Sequence, residues 1–420
     1  MKELCIEDYA AIVAIDWADQ KHDVCEIDLA TGTTESIVIS SKPESIQDWA
    51  VQLQRRFPNR PVAVICELKK GPLVYALMKY PKITLVPVHP GTFAKYRKAF
   101  QPSGAKGDAT DAKLLAEMVM AHPDKFSPIE AESPQVRALA QLVESRRQLV
   151  QNRVDLTNSL TWHLKNYYPQ VLDWITVKDS HLFLDFLEKW PSLTAIKRAR
   201  TKTLVAFMHQ RNVRDQSLID QRVSAIKASV PLTEDEGVVV PNQLMVETIC
   251  GQLRVLLHAI ERIDKEIKTR YAAMKDRAIF DSLPGAGAQL SPRLFVAFGT
   301  NRDRYQSASD LQKYAGVAPV KESSGKKSWT HWRYSCPKFL RQTFVEWAGQ
   351  TVRFSFWARA YYEQQKLRGK PHNTIIRSLA FKWIRVVFKC WQDGVPYDES
   401  KYLQALRERG SPLLEFAVKN

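Results

Sequence analysis

Short apolar runs separated by polar turns occupy the amino-terminal part of the chain. Their spacing predicts strands at 12–17, 23–29, 36–40, 62–67 and 83–88, and helices at about 43–57 and 71–79. The apolar positions then take a helical period over 112–120. A meander of three strands followed by alternating helices and strands indicates an α/β domain over residues 1–130.

Four acidic residues stand at the edges of these predicted elements. Asp16 ends the apolar run 10–15, Glu67 ends the run 62–66, and Asp108 and Asp111 lie three residues apart at the start of the helix. That spacing places the last two carboxylates on one helix face. Adjacent strand ends can bring the acids together, where they repel one another unless a divalent cation lies between them. Carboxylates suit Mg²⁺ or Mn²⁺, and a nucleic-acid phosphodiester is the natural substrate of such an ion.

The same acids have a simpler interpretation, because Asp is common at strand ends and helix starts, where it caps backbone N–H groups. The order of the elements favours the metal site. Acids on the first strand, on the fourth strand and on a closing helix resemble the ribonuclease H fold of the Holliday-junction-resolvase (RuvC-like) type.

A long helical region is predicted for residues 131–275. Leu142, Leu149 and Leu156 recur every seven residues. A cleaner a/d seam with 4,3,4,3,4 spacing follows at Ile249, Leu253, Leu256, Ile260, Ile263 and Ile267. The two helices could pair within one chain as a bundle core, or between chains as a coiled coil that makes a dimer. The intervening residues 169–243 are predicted only to be mostly helical.

Length and composition set wider limits. A chain of 420 residues with 45% hydrophobic content can hold about two or three domains with real cores. Residues 1–9 carry three acids and no apolar core, and no run of about 18 apolar residues could span a membrane, so we expect a cytoplasmic protein without a membrane partner. The six cysteines show no close pairing, which predicts reduced core residues instead of zinc ligands or disulfides.

The net charge of +16 is distributed unevenly. Residues 1–130 are almost neutral, with 16 Lys and Arg against 17 Asp and Glu, whereas residues 320–394 carry 15 basic residues against four acids. Aromatic residues such as Trp329, Trp332 and Trp357 interleave with these cations. The combination predicts a nucleic-acid surface made of phosphate contacts and base stacking, with a merely solvated basic face as the alternative.

Two motifs lie in the carboxy-terminal region. The segment 283–287, Leu-Pro-Gly-Ala-Gly, resembles the turn of a helix-hairpin-helix unit, whose N–H groups contact a phosphate backbone. After Tyr-Ala-Gly-Val-Ala-Pro at 314–319, a basic loop contains Ser323, Ser324 and Gly325. A serine in such a loop could be a nucleophile on phosphorus, although most serines in loops are turn residues.

The order of all these motifs resembles the transposases of the insertion sequence 110 family. It runs from an acidic D…E…DxxD domain through a coiled coil to LPGxG, YAGxAP and a Ser-Gly loop, then to Gly369-Lys370 before a helix expected to end in Tyr397-Asp398. The resemblance implies four regions: a RuvC-like domain at 1–130, a coiled-coil region at 131–275, a mainly α-helical transposase domain at 276–398, and a tail at 399–420.

The resemblance also implies a chemistry and a set of partners. Asp16, Glu67, Asp108 and Asp111 would be the metal-binding acidic tetrad, and Ser324 would be the nucleophile, with Ser323 as the second choice. The implied protein is a prokaryotic, nucleoid-associated DNA recombinase that uses Mg²⁺ or Mn²⁺ and forms a covalent phosphoserine. Its partners would be donor and target DNA, a structured noncoding guide RNA of the bridge type, and further copies of the chain in a dimer or tetramer. In the implied composite site, the acids of one subunit meet the serine loop of another.

Two other functions fit the same residues. In a resolvase-like endonuclease, a metal-bound water would attack the phosphate and Ser324 would only contact it. A non-catalytic RNA- or DNA-binding protein would use the basic surface alone. A covalent protein–DNA adduct distinguishes the serine recombinase from both, and metal-dependent cleavage distinguishes the endonuclease from the binding protein.

Overall fold

The computed structural model describes residues 3–67, 70–101, 107–130 and 132–419, and its contacts divide the chain into two compact units. The first unit comprises Met1–Ser133 and Gly299–Tyr314, and the second comprises Pro134–Phe298 and Ala315–Asn420. The segment 299–314, which the sequence analysis placed in the carboxy-terminal region, therefore belongs by its contacts to the first unit.

The first unit is built on a five-stranded mixed sheet. Its elements in chain order are β1 (Ala11–Trp17), β2 (Lys21–Asp28), β3 (Thr34–Ser40), α1 (Pro43–Arg56), β4 (Val62–Cys66), α2 (Pro72–Leu77), β5 (Ile83–Pro87), α3 (Pro90–Phe100) and α4 (Asp108–Ala121). The strand order is β3-β2-β1-β4-β5. The meander β1-β2-β3 is antiparallel, whereas β4 and β5 are added in parallel. This topology is consistent with a ribonuclease H-like domain, and each predicted strand is present.

The two faces of the sheet are covered by different helices. Ala11, Val13 and Ile15 of β1 belong to an apolar cluster with residues of α1 and α2. The alternate residues, Ile12 and Ala14, belong to a cluster with residues of α4. Because successive side chains of a strand point to opposite faces, Asp16 lies on the α4 side of the sheet.

The second unit is mainly helical. Its elements are α5 (Pro134–Tyr167), α6 (Val171–Trp174), α7 (His181–Lys189), α8 (Leu193–Lys197), α9 (Thr201–Gln210), α10 (Gln216–Ala228), α11 (Glu236–Ala272), α12 (Arg277–Asp281), α13 (Gly287–Phe298), β6 (Val320–Ser324), β7 (Lys327–His331), α15 (Lys338–Phe354), α16 (Phe356–Leu367), α17 (His372–Asp393), α18 (Glu399–Glu408) and α19 (Pro412–Lys419). The remaining helix, α14 (Ala308–Tyr314), belongs to the first unit.

The helices α5 and α11 are the longest in the described part of the chain, and they pack along each other. Arg146 of α5 donates to Asp264 of α11, with a second N–O distance of 3.2 Å. The seam predicted for α11 is buried at all its positions except Ile263, which is half-buried. The predicted leucine line on α5 is only half-buried, because Leu139, Val143, Leu160 and Leu164 supply the core contacts. The two helices therefore pair within one chain.

The carboxy-terminal part differs from the sequence expectation in two places. The basic serine loop is a β-hairpin, with β6 and β7 joined by Gly325 and Lys326. The helix expected to end in Tyr397-Asp398 ends instead at Asp393, where Gly394 takes a left-handed conformation with φ of 68°. Asp398 then caps α18 by accepting from the backbone N–H of Ser400 and Lys401. The expected tail thus contains the helices α18 and α19.

Two further sequence expectations concern membrane segments and cysteines. Within the described residues, no helix combines the length and the apolar character that a membrane crossing requires. All six cysteines are free thiols; Cys25, Cys66 and Cys250 are buried, as expected, whereas Cys5 is exposed.

The backbone conformation and close packing at Gly316 predict that a side chain there is destabilising. This residue has φ of +70°, and a Cβ built there would lie 2.3 Å from the Sγ atom of Cys336. We expect Gly316→Ala to lower the free energy of unfolding by about 2 kcal/mol or more, through backbone strain and overlap. Gly251 is the matched control, because it lies inside α11 with nothing within 4 Å of its added Cβ. Gly251→Ala should raise stability by about 0.5–1 kcal/mol. Thermal melts of the two variants check the prediction, and equal melting temperatures would contradict it.

Candidate functional site

Two of the predicted acids lie beside each other at one end of the sheet. The parallel register pairs Ile15 of β1 with Cys66 of β4, so the next residues along the two strands are Asp16 and Glu67. The side chains of Ala63 and Ile65 share the α4 face with Ile12 and Ala14. Glu67 directly follows β4, and continuing the alternation by one residue puts it on that face. Both acids are half-buried. The sheet therefore presents Asp16 and Glu67 at its carboxyl edge, on the side covered by α4.

The helix α4 carries the other two acids in its first turn. It packs across β1 and β2. Burial raises the pKa of the Cys25 thiol, and the charges of Lys113 and Glu117 on α4 have smaller, opposite effects on it; Cys25 pairs with Ala14 of β1. Beyond the carboxyl end of α4, the carbonyl of Phe126 accepts from the backbone N–H of Leu4, which precedes β1. We infer that α4 runs antiparallel to β1, so that its first turn lies toward the carboxyl end of β1.

Asp108 and Asp111 occupy that first turn in different environments. Asp108 is exposed, whereas the Asp111 side chain is only 3% exposed. The Oδ2 atom of Asp111 accepts from the Nη1 atom of Arg97 on α3 at 2.6 Å. Its Oδ1 atom is buried and has no hydrogen-bond partner among the described residues. A buried carboxylate oxygen without a donor is costly, so this atom has the capacity to bind a cation or a proton donor.

A fifth acid, Asp23, was missed by the sequence analysis. It lies on β2 directly opposite Asp16 in the antiparallel register, which puts the two side chains on the same face. Asp23 is buried and forms an ion pair with Lys21, with an N–O distance of 3.5 Å. Like charges directly opposite each other destabilise a strand pair. The signal that could have found Asp23 is the tight turn after β1, which fixes this register.

The chemistry of this edge fits a hard divalent cation. Every candidate ligand is a carboxylate, and one buried oxygen of Asp111 has no donor in the described part of the chain. Within the described ranges, however, no three His, Cys, Asp or Glu side chains lie close enough to hold an ion. Arg97 instead neutralises Asp111. Arg97 could not be identified from the sequence because the helix α3 was not predicted.

The predicted nucleophile lies in the second unit, at the tip of the β6-β7 hairpin. Ser324 is the last residue of β6 and pairs with Lys327, while Gly325, with φ of +57°, begins the two-residue turn. Ser323 pairs with Ser328, so the two serines lie on opposite faces of the hairpin. All four paired residues are exposed. Ser324 thus has an ammonium group on its own face, whereas Ser323 has a hydroxyl.

The predicted phosphate-binding turn at 283–287 has a clear packing role. Trp347 of α15 donates from its Nε1 atom to the carbonyl of Pro284 at 3.0 Å. A Cβ added to Gly285 would lie 2.8 Å from the Phe354 ring, so the turn approaches α15 closely. These contacts explain why a glycine is needed at position 285 without reference to a ligand. The contact of this turn with a DNA phosphate stays a prediction.

Comparison with known proteins adds the following. A family model of the DEDD type, described as transposase, matches residues 13–169, and a model described as transposase IS116/IS110/IS902 family matches residues 277–363. Together the two models cover more than half of the chain.

The mini-circle putative transposase for IS117 of Streptomyces coelicolor is 25% identical over 417 residues, which cover 96% of this chain and 97% of the relative. An uncharacterized 44.8 kDa protein of insertion element IS116 from Streptomyces clavuligerus is 27% identical, over 69% of this chain and 71% of the relative. An uncharacterized 42 kDa protein of insertion element IS900 from Mycobacterium paratuberculosis is 23% identical, over 73% and 77%.

The ion pair of Asp111 with Arg97 is expected to contribute to the free energy of unfolding. We expect Arg97→Met to lower the free energy of unfolding by about 2 kcal/mol, because it leaves a buried carboxylate without its cation. Lys98→Met is the matched control, since Lys98 is the exposed neighbour on α3. Adding Asp111→Asn to Arg97→Met should recover most of the loss. Chemical denaturation of the three variants measures this, and an Arg97→Met protein as stable as Lys98→Met would show that the pair contributes nothing.

Proposed function

This chain belongs to the IS116/IS110/IS902 family of transposases, and from that premise we propose that it cuts DNA with an acidic, metal-binding edge and a serine nucleophile. Membership of the family implies, in general terms, an enzyme that cuts and rejoins DNA and that uses a divalent metal. The proposal adds the residues, the covalent step and the partners.

The observation that carries the proposal is the buried Oδ1 atom of Asp111, which has no donor within the described residues and lies in the first turn of a helix that packs on β1. Asp16 and Glu67 lie on the face of the sheet that this helix covers. Asp16, Glu67, Asp108 and Asp111 would hold Mg²⁺ or Mn²⁺. When bound, the ion would neutralise charge on the scissile phosphate and relieve the repulsion among these carboxylates.

Ser324 would make the covalent bond to DNA. Its Oγ atom attacks phosphorus, the bond from phosphorus to the 3′ oxygen breaks, and the proton from the hydroxyl ends on the leaving 3′-hydroxyl. The product is a phosphoserine joined to the 5′ end of the cut strand, and attack by another 3′-hydroxyl reverses the step and rejoins the strands. Lys327, which pairs with Ser324 on the same face, would stabilise the serine alkoxide and contact the phosphate.

The partners follow from the charge and from the family resemblance. The basic residues of 320–394 would contact donor and target DNA and a structured noncoding guide RNA of the bridge type. The nearly neutral residues 1–130 would contribute chemistry more than affinity. Further copies of the chain, in a dimer or tetramer, would supply the acids and the serine hairpin to each cut from different subunits.

The acidic edge can be tested by single substitutions. Asp16→Asn and Asp111→Asn should each reduce metal-dependent cutting by at least about 100-fold, because each removes a hard anionic ligand while conserving volume. Asp48→Asn is the control, since Asp48 is an exposed acid on α1, which covers the other face of the sheet. Cutting of labelled DNA is measured with guide RNA at increasing Mg²⁺ and Mn²⁺. Normal cutting by either variant at low metal would remove that residue from the proposed set.

The covalent step has its own test. Ser324→Ala should abolish strand exchange and the covalent protein–DNA adduct, because no neighbouring hydroxyl shares its face of the hairpin. Ser323→Ala and Ser328→Ala change the opposite face and should retain the adduct. DNA binding should survive in all three variants, since it depends on dispersed basic residues.

The measurement is a denaturing gel of labelled DNA incubated with protein, guide RNA and Mg²⁺, in which a protease-sensitive shifted band reports the adduct. An undiminished band in Ser324→Ala would exclude Ser324 as the nucleophile. Cleavage without any such band in the unmodified protein would support a hydrolytic, resolvase-like endonuclease instead.

A further inference from the structure

A cavity of about 540 Å³ lies in the second unit at the base of the serine hairpin. Its wall includes His331, the last residue of β7, then Trp332, which follows it, and Tyr361 of α16. From α17 it receives Arg377 and, farther along the helix, Lys382 and Arg385. Neither the proposed chemistry at Ser324 nor the packing of the core requires these side chains to line a cavity.

The aromatic wall is held in place by cations. The guanidinium of Arg377 lies 4.2 Å from the ring centre of Trp332, and that of Arg341 lies 5.0 Å from the same ring. Arg377 also donates from its Nε atom to the carbonyl of Asn373 at 3.0 Å. Its Nη2 atom lies 3.4 Å from the Oγ1 atom of Thr374. These two contacts with described residues use two of its five N–H donors, so the guanidinium keeps donors for an anion.

The cavity is also strongly cationic. Arg377, Lys382 and Arg385 line it, and the described lining residues include no Asp or Glu. The ammonium of Lys382 lies 5.0 Å from the centre of the Tyr361 ring. Desolvation lowers the pKa of Lys382, and the positive charge of Arg385 lowers it further. The cations thus repel one another at this wall, and an anion bound among them would relieve that repulsion.

Cations beside half-buried aromatic rings match the chemistry of a nucleotide, which carries a phosphate and a flat base. We propose that this cavity takes up one unstacked nucleotide of the DNA strand near the cut, with its base against Trp332 or Tyr361 and its phosphate on Arg377, Lys382 and Arg385. The volume lies within the range of about 300–1,000 Å³ that is typical of small-ligand sites. Stacking on an aromatic face tolerates any base, so the site would add affinity more than sequence preference.

The distance of the cavity from Ser324 predicts how many nucleotides separate the bound nucleotide from the cut. His331 lies four residues beyond Lys327, which pairs with Ser324, so the base of the hairpin lies about 13 Å from the serine. A stacked strand advances about 3.4 Å per nucleotide. The bound nucleotide should therefore lie within about four positions of the cut. This spacing rests on the proposed role of Ser324, whereas the cavity's chemistry does not.

Photo-crosslinking tests the proposal directly. The full-length Ser324→Ala protein, with guide RNA, is bound to DNA strands that carry one 5-iodouracil at each of six positions on either side of the cut, which is mapped beforehand with the unmodified protein. We expect one DNA position within about four nucleotides of the cut to crosslink either to the peptide that contains Trp332 or to the peptide that contains Tyr361. In a second arm, the 5-iodouracil is placed in the guide RNA. The proposal would be overturned if only the guide RNA crosslinked to these peptides, or if no DNA position did.

Affinity measurements supply the second readout. Trp332→Ala should weaken DNA binding by roughly tenfold, and Trp332→Phe should keep most of the affinity because it retains an aromatic face. Arg377→Gln should reduce the slope of log affinity against log salt by about one, which the loss of one phosphate contact predicts. Lys227→Gln, on the exposed side of α10, is the charge-matched control and should change neither quantity. Equal affinity for Trp332→Ala and the parent protein, with equal melting temperatures, would reject the cavity as a nucleotide site.

The two proposals can fail separately. If the adduct forms through Ser324 but no DNA position reaches the cavity, only the nucleotide site is wrong. If the crosslink appears while Ser324→Ala still forms the adduct, the serine assignment is wrong and the cavity remains.

Discussion

The burial of β1 on both faces is the constraint on which the proposed acidic site depends. Residues 11–15 of this strand are completely buried, with one set of side chains against α1 and α2 and the other against α4. A register slip of one residue would move every side chain to the other face and place the apolar residues wrongly on both. The same packing that fixes the strand therefore fixes Asp16 on the α4 side. The backbone of Asp16 is therefore held more firmly by the packing of β1 than it would be in a loop.

Such a position also has an electrostatic cost. Asp16 lies directly opposite Asp23 in the antiparallel register of β1 and β2, and Glu67 directly follows β4, which pairs with β1 in parallel. Carboxylates on one face of a sheet disfavour one another in their charged forms. Lys21, which pairs with Asp23, offsets part of this cost, and Arg97 separately neutralises the buried Asp111 of α4. Since Arg97 occupies only one oxygen of Asp111, the arrangement keeps capacity for a cation.

The elements with strong apolar patterns could be predicted from the sequence. The strands β1 and β4 were found because buried strands produce continuous apolar runs, and the mostly exposed β3 because a short apolar run stands between polar residues. The start of α4 was found because its apolar positions take a helical period. The helix α3 was not found, because it buries only Phe93 among its eleven residues and so has little apolar pattern to detect. Pro90 at its first turn was the available signal. Missing α3 also meant missing Arg97, since a single cation on an unassigned segment has no expected partner.

The serine hairpin was missed for the opposite reason. Almost every residue from Lys321 to Thr330 is polar, and all of them are exposed, so neither strand has the alternation by which half-buried strands are detected. Its register depends on backbone pairing and on the positive φ of Gly325. The serines at positions 323 and 324 cannot be assigned to faces without that register, which is why the sequence left the choice between them open. The structure separates them and places Lys327 on the side of Ser324.

The helix α17 connects the core of the second unit with its basic surface. One face carries Leu379, Trp383, Val387 and Trp391, which are almost completely buried, while Arg377, Lys382 and Arg385 project from the other. Because Trp383 and Trp391 are large and tightly packed, the helix has little freedom to rotate, and the spacing of its cations is fixed by the core. Long basic side chains on a mobile segment lose conformational entropy when they bind phosphate. Cations held on a rigid helix, with Arg377 stacked on Trp332, have lost part of that entropy during folding. The apolar half of α17 thus lowers the entropic cost of binding nucleic acid on its basic half.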